Sequence, residues 1–198
     1  MKESLSQLIN RVKQCRICEG KLPFPPKPIF IVSATARVLI VGQAPGIRVH
    51  KTGIPWNDPS GDRLRLWLNL NREQFYDESK IAIIPTGLCY PGKGIRGDIP
   101  PMPECAPRWH PEFRKHLKKL KLTLLVGSHA QNFYLKGRLK KTMADTVRTY
   151  EEYLPDFFPL PHPSPRNIMW FRKHSWFEKE VLPQLKQIVS TLLNDSKS

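Results

Sequence analysis

Four short apolar runs confine this chain to a narrow set of folds: "RVLIVG" (37–42), "KIAIIPTG" (80–87), "LTLLVG" (122–127) and "YLPDFFPL" (153–160). The first three are rich in Val, Ile and Leu without strict alternation, the pattern of strands covered on both faces. Helical stretches separate them. "GDRLRLWLNL" (61–70) sets Leu64, Trp67 and Leu68 on one face, and "PEFRKHLKKL" (111–120) repeats apolar residues at Phe113, Leu117 and Leu120. "SHAQNFYL" (128–135) follows the third run, with Ser128 placed as an N-cap. A last helix over 173–194 carries Phe177, Val181, Leu185, Ile188 and Leu192. Strands alternating with helices predict an α/β fold built on a short, mostly parallel four-stranded sheet. Ligands of such sheets bind beyond the carboxyl ends of the strands. Here those ends read "GQAPG", "PTG", "GSHAQ" and "HPSPRN".

At 198 residues, with no internal repeat and no linker, the chain is expected to form one domain over 1–198. No apolar run approaches the roughly 18–20 residues of a membrane span. The opening "MKESLSQLINRVKQC" is amphipathic and lacks a signal peptide's apolar stretch, so a cytoplasmic, monomeric protein is expected. Lys and Arg number 32 against 17 Asp and Glu, a net charge of +15. That excess favours a polyanion, nucleic acid first and a membrane surface second, with a soluble protein that is simply basic as the plain alternative. The 20 prolines gather in "KLPFPPKP", "DIPPMPECAP" and "LPDFFPLPHPSP", each joining two patterned segments, and read as stiff loops that hold side chains in place.

The cysteines are Cys15, Cys18, Cys89 and Cys105. The first two form a C-x2-C pair. The last two bracket "YPGKGIRGDIPPMPE", a loop with almost no apolar content to order it. A metal joining its ends to the N-terminal pair would stabilise it. Disulfides conflict with the cytoplasmic reading. A thioredoxin-like motif conflicts with a pair that precedes the first strand and leaves two cysteines over. Four-thiolate zinc and a cubane iron–sulfur cluster both suit the set, and spacing does not choose between them. Four unrelated buried thiols are the plain alternative.

Three loop features bear on chemistry. The turn Gly42–Gly46 would expose backbone N–H groups to a ligand, yet lacks the Gly-Lys-Ser/Thr of a phosphate loop; an ordinary Gly/Pro turn is the competing reading. Trp56, in a polar turn-rich stretch, is either a stacking platform for a base or a local core anchor. His162 lies between Pro161 and Pro163 at the sheet's carboxyl edge, where a stiff backbone would aim its imidazole at charge developing on a leaving group. Arg166 follows, able to meet phosphate or wedge into a base stack.

Together these residues resemble the uracil-DNA glycosylase superfamily, most closely its iron–sulfur branch. "GQAPG" (42–46) is similar to that branch's Gly-Glu-Ala-Pro-Gly motif, and "TGIPW…SG" (52–61) to its Thr-Gly-x-Pro-Phe…Ala-Gly stretch, with Trp56 at the base-stacking position. The cysteines follow its cluster order. "HPSPRN" is similar to the second catalytic motif, worded most like the single-strand-selective uracil glycosylases. The resemblance runs from Cys15 to about Asn167. It implies a three-layer α/β/α sandwich, a structural [4Fe-4S] cluster on Cys15, Cys18, Cys89 and Cys105 that docks segment 1–36, and hydrolysis of the base–sugar bond of uracil or a related deaminated base in DNA. It gives His162 the role of donor to the departing pyrimidine, Arg166 the intercalating position, and Ser164 and Asn167 the DNA backbone. Gly42, Ala44, Pro45, Gly46, Trp56 and Thr86 would line the base pocket, and Gln43 and His50 would join His162 as catalytic candidates.

The chain also departs from the pattern. Gln43 replaces the iron–sulfur branch's Glu, as in the prototype uracil glycosylases, and Ala44 stands where those enzymes carry a water-activating Asp. Val49 and His50 replace an acidic pair. The asparagine that reads uracil's edge has no counterpart beyond Thr86 in "IPTG". His50 and Asp58 are the candidates for positioning water. The same departures suit a nucleic-acid binder that kept the fold without the catalysis.

Overall fold

The computed structural model describes residues 3–95 and 97–194. The central sheet holds β1 (Val38–Val41), β2 (Ile81–Ile83), β5 (Leu122–Val126) and β6 (Phe157–Leu160), in the order β2-β1-β5-β6, every pair parallel. Between β2 and β5 lies a two-stranded antiparallel hairpin, β3 (Lys93–Gly94) and β4 (Gly97–Asp98), pairing Lys93 with Asp98.

Strand residues alternate between two cores. Val38, Ile40, Ile81, Ile83, Leu124, Phe158 and Leu160 point to one face. It is covered by α3 (Pro59–Leu68), α8 (Ile168–Lys173) and α9 (Leu182–Asn194), through Leu64, Trp67, Phe171, Leu185 and Val189. Leu39, Val41, Ala82 and Leu125 point to the other. There α1 (Leu5–Lys13), α5 (Cys105–His116) and α6 (Ser128–Tyr134) pack through Leu8, Val12, Trp109, Phe113 and Ala130. Period-two burial on both faces explains why the strands read as continuous apolar runs. The result is the expected three-layer α/β/α sandwich. The remaining helices are α2 (Ile47–Thr52), α4 (Arg72–Phe75) and α7 (Met143–Arg148).

Several boundaries differ from the sequence expectation. β2 ends at Ile83, because Ile84–Gly87 turns to meet the loop after β1: the N–H groups of Thr86 and Gly87 donate to the carbonyls of Gly42 and Gln43, at 2.9 and 2.8 Å. β6 begins at Phe157; Tyr150–Tyr153 is a 3-10 turn. Pro159 lacks a ladder donor and sits on this edge strand, where only β5 pairs with it. Helix α5 starts at Cys105, six residues before the expected start, because Pro107 falls in its first turn, where no intrahelical N–H is needed. The expected 173–194 helix starts later: α8 ends at Lys173, residues 174–175 form a turn, and a π-helical turn over Phe177–Val181 runs directly into α9.

The N-terminus is anchored by local chemistry. Ser4 and Gln7 form a capping box at the start of α1. Arg11 pairs with Glu3 at 2.6 Å and lies over the Trp109 ring of α5, 5.1 Å from its centroid. Among the described residues no helix is long and apolar enough to cross a membrane.

Candidate active site

At the carboxyl edge of the sheet the loops after β1 and β6 wall a cleft of about 520 Å³. Gly42, Gln43, Ala44, Pro45 and Gly46 line it from one side and His162, Ser164, Arg166 and Asn167 from another; Trp56, Asp58, Pro85 and Asp98 are also on its wall. This is the size of a small-ligand site, roughly 300–1,000 Å³.

His162 is held from several directions. The backbone N–H of Ser164 donates to its Nδ1 at 3.2 Å. In the neutral ring the proton therefore sits on Nε2. Nε2 has no hydrogen-bond partner among the described residues, and His162 is one of the residues lining the cleft. Burial pushes the His162 pKa below the usual histidine range; the Asp58 carboxylate opposes this and nearby His129 adds to it. The uncharged donor is thus the form at neutral pH. Asn167 donates its side-chain amide to the His162 carbonyl at 2.8 Å. Arg63, on α3, donates to the carbonyls of Pro163 and Ser164 at 3.4 and 3.2 Å. Behind the ring, Gly127 takes a left-handed φ of 86°, and a Cβ there would come within 3.3 Å of the His162 Cβ. The strand-to-helix turn after β5 has to be glycine for the imidazole to lie where it does.

Trp56 faces the same ring, centroids 5.7 Å apart at 33°. Its backbone is left-handed, φ 56°, a sparsely populated region for a bulky residue. Two glycines make room. A Cβ on Gly42 would sit 2.7 Å from Trp56 Cζ2, and one on Gly61 would collide with the Trp56 carbonyl. The indole is both packed on the core and part of the cleft wall, so the two readings of this residue meet in one place.

Two candidates lie elsewhere. Thr86 is buried, and its hydroxyl reaches the carbonyls of Gln43 at 2.6 Å and Gly42 at 3.1 Å. It shapes the Gly42–Gly46 turn and does not line the cleft. His50 stacks on Phe24 at 4.9 Å and lies near Tyr90, its Nδ1 buried without a hydrogen-bond partner among the described residues. It too is absent from the cleft wall. Asp58 does line the cleft, though its Oδ1 accepts the Gly61 N–H at 2.8 Å as the N-cap of α3.

Other contributors carry little sequence signal. Asp98, on β4, reaches the cleft, with Gly97 beside it under the Arg166 guanidinium. Ile168 and Met169, just past Arg166, are 45% and 67% exposed. His110 is buried, with Nε2 3.0 Å from the Pro85 carbonyl and Nδ1 2.7 Å from the Tyr134 hydroxyl, and so fixes the loop after β2 from beneath.

A second cavity is lined by all four cysteines, Cys15, Cys18, Cys89 and Cys105. All are free thiols. Burial raises the Cys89 thiol to about 11 and Cys105 to about 12, and the neighbouring sulfurs push both the same way. Among the described residues no group of three or more His, Cys, Asp or Glu side chains closes on a single metal ion.

A parallel α/β sandwich with an imidazole donor and an aromatic face at its carboxyl-edge cleft is a scaffold for receiving one planar ligand. The family model for the Uracil DNA glycosylase superfamily matches residues 30–186, and the chain belongs to that superfamily. The matched segment contains both cleft loops and two of the cysteines; Cys15 and Cys18 precede it.

Proposed function

We propose that this protein is a monofunctional DNA glycosylase that hydrolyses the base–sugar bond of uracil or a related deaminated base. Membership of the superfamily supports glycosylase chemistry on DNA. The observation that carries the reading further is the His162 ring, which lines the cleft and is held neutral with its one N–H unpartnered among the described residues. Such chemistry needs the target base out of the stack, at a cost of a few kcal/mol. An extruded pyrimidine entering between the Gly42–Gly46 turn and Trp56 would meet the Nε2–H of His162. As the glycosidic bond lengthens, its electrons pass to the base and the sugar becomes oxocarbenium-like. A fixed neutral donor stabilises that departing anion without prior protonation, and a preorganised donor of this kind contributes roughly 10²–10³ in rate. Arg166, Ile168 and Met169 at the rim are placed to enter the space the base leaves.

Base choice has a physical handle. With the Thr86 hydroxyl engaged by the Gly42 and Gln43 carbonyls, no side-chain amide faces the base from that loop. Recognition then falls to backbone groups and to the Gln43 amide, whose nitrogen already donates to the Ile99 carbonyl at 3.4 Å, a looser reader than an amide dedicated to the base. Oligonucleotides carrying one uracil, hypoxanthine or xanthine, single- or double-stranded, are incubated with the protein and treated with alkali. Cleavage at uracil or another deaminated base is expected. DNA binding with no cleavage on any substrate would replace the enzyme by a nucleic-acid-binding member of the fold.

The four cysteines are proposed as ligands of a structural [4Fe-4S] cluster. The residues fit such a group: four free thiols share one cavity, and burial and neighbouring sulfurs hold the proton on Cys18, Cys89 and Cys105, a situation a cationic centre reverses. The group would supply rigidity, tying segment 1–36 to the ends of the Cys89–Cys105 loop. Anaerobically purified protein should be brown, and Cys89→Ala should lose both the colour and several degrees of melting temperature. Colourless protein with one zinc per chain would assign the thiols to zinc instead.

A further inference from the structure

Hydrolysis is faster when a group accepts the proton of the attacking water, and the loop after β1 does not offer a carboxylate: Ala44 occupies that stretch, and His50 is outside the cleft. Asp58 lines the cleft, with one oxygen already bound to the Gly61 N–H. A second carboxylate reaches the same space from another element. The Oδ2 of Asp98 lies 3.3 Å from where a Cβ on Gly46 would be, two residues from Ala44. The β3–β4 pairing, Lys93 with Asp98 and Gly94 with Gly97, sets this residue at the end of the hairpin facing the cleft.

Resting on the glycosylase reading, we propose that Asp98 is the general base of the reaction, a carboxylate delivered by the hairpin inside the Cys89–Cys105 loop rather than by the loop after β1. The step balances. The bond from base to C1′ breaks with its electron pair leaving on the base, which His162 Nε2–H stabilises as an anion. The water oxygen bonds C1′, and its proton passes to Asp98, which returns it to solvent. The charges around Asp98 suit the role. Burial raises its pKa above the usual aspartate range and Asp58 adds to this; Arg166 and Lys93 oppose it without cancelling it. A carboxylate raised in this way is a stronger proton acceptor than a solvated one.

Asp98→Asn tests this in single-turnover base release from uracil-containing DNA, with DNA affinity and melting temperature measured alongside. The expected result is a rate about 100-fold lower, on the scale of a lost general base, with affinity within about twofold of the parent. The parent's rate should fall as pH drops through the Asp98 pKa, and that acid limb should vanish in the variant. Asp98→Glu, which keeps the carboxylate, should recover part of the rate even if hairpin packing lowers the melting temperature of both variants. A parent that is active while Asp98→Asn keeps its rate and its acid limb overturns the proposal and leaves the glycosylase reading standing. Equal loss in Asn and Glu variants, with the acid limb intact in both, also overturns it, since geometry and not the carboxylate would then be at work. A parent that releases no base overturns the glycosylase reading itself, and the role of Asp98 with it.

Discussion

His162 shows how much structure is devoted to a single proton. Prolines on both sides limit its backbone, the Ser164 N–H selects its tautomer, and Asn167 holds its carbonyl at 2.8 Å. Asn167, a candidate for the DNA contact, lines the cleft and also donates its side-chain amide to the main-chain carbonyl that carries the imidazole. Asn167→Ala should therefore lower kcat by about fivefold with KM little changed, since a neutral hydrogen bond contributes about 1 kcal/mol and its loss loosens the donor rather than the substrate. Steady-state kinetics check this; a rise in KM at constant kcat would return Asn167 to the DNA contact. The contrast shows what sequence can convey at this scale. Proline-flanked histidine at a strand's carboxyl end is visible, because proline geometry is local. The partners of Thr86 and the reach of Asp98 were hidden, because each depends on where a second loop folds back.

The elements around the cleft act as supports whose chemistry is exposed by acid. His110, on α5, is buried between the Pro85 carbonyl and Tyr134, and its pKa is pushed down to about 4 by burial. Its folded pKa is depressed, so the unfolded chain binds the proton more readily between about pH 6.5 and 4. Stability from this residue is complete above pH 6.5 and is lost as pH falls through that window, about 3 kcal/mol in all. Urea melts of the parent at pH 7 and pH 4.5 should differ by an increment that His110→Gln lacks; an identical pH dependence in the two would remove His110 from the account. Element types were readable because burial on both faces gives strands a dense apolar signature. Element ends were not. Helix α5 starts before its apolar periodicity does, and the hairpin lies in a loop whose polar composition gives no register. The break between α8 and α9 falls at aromatic residues, Trp170, His174 and Trp176, which pack on one another and give no breaker signal.

For the molecule as a whole, the net charge of +15 is a statement about DNA before it is one about chemistry. Affinity for non-specific duplex should fall linearly in log–log terms with salt, by about 0.9 for each phosphate neutralised. A slope near zero between 50 and 200 mM salt, roughly the range where such contacts are lost, would mean that the basic residues serve something other than a phosphate backbone. Charge, however, does not distinguish a binder from an enzyme. The distinction rests on one neutral imidazole lining one cleft. The direct measurement is base release from uracil-containing DNA by the parent and by His162→Ala, with melting curves to confirm that both are folded. The account predicts excision by the parent and a rate at least about 100-fold lower in the variant. Equal rates from the two folded proteins would contradict it.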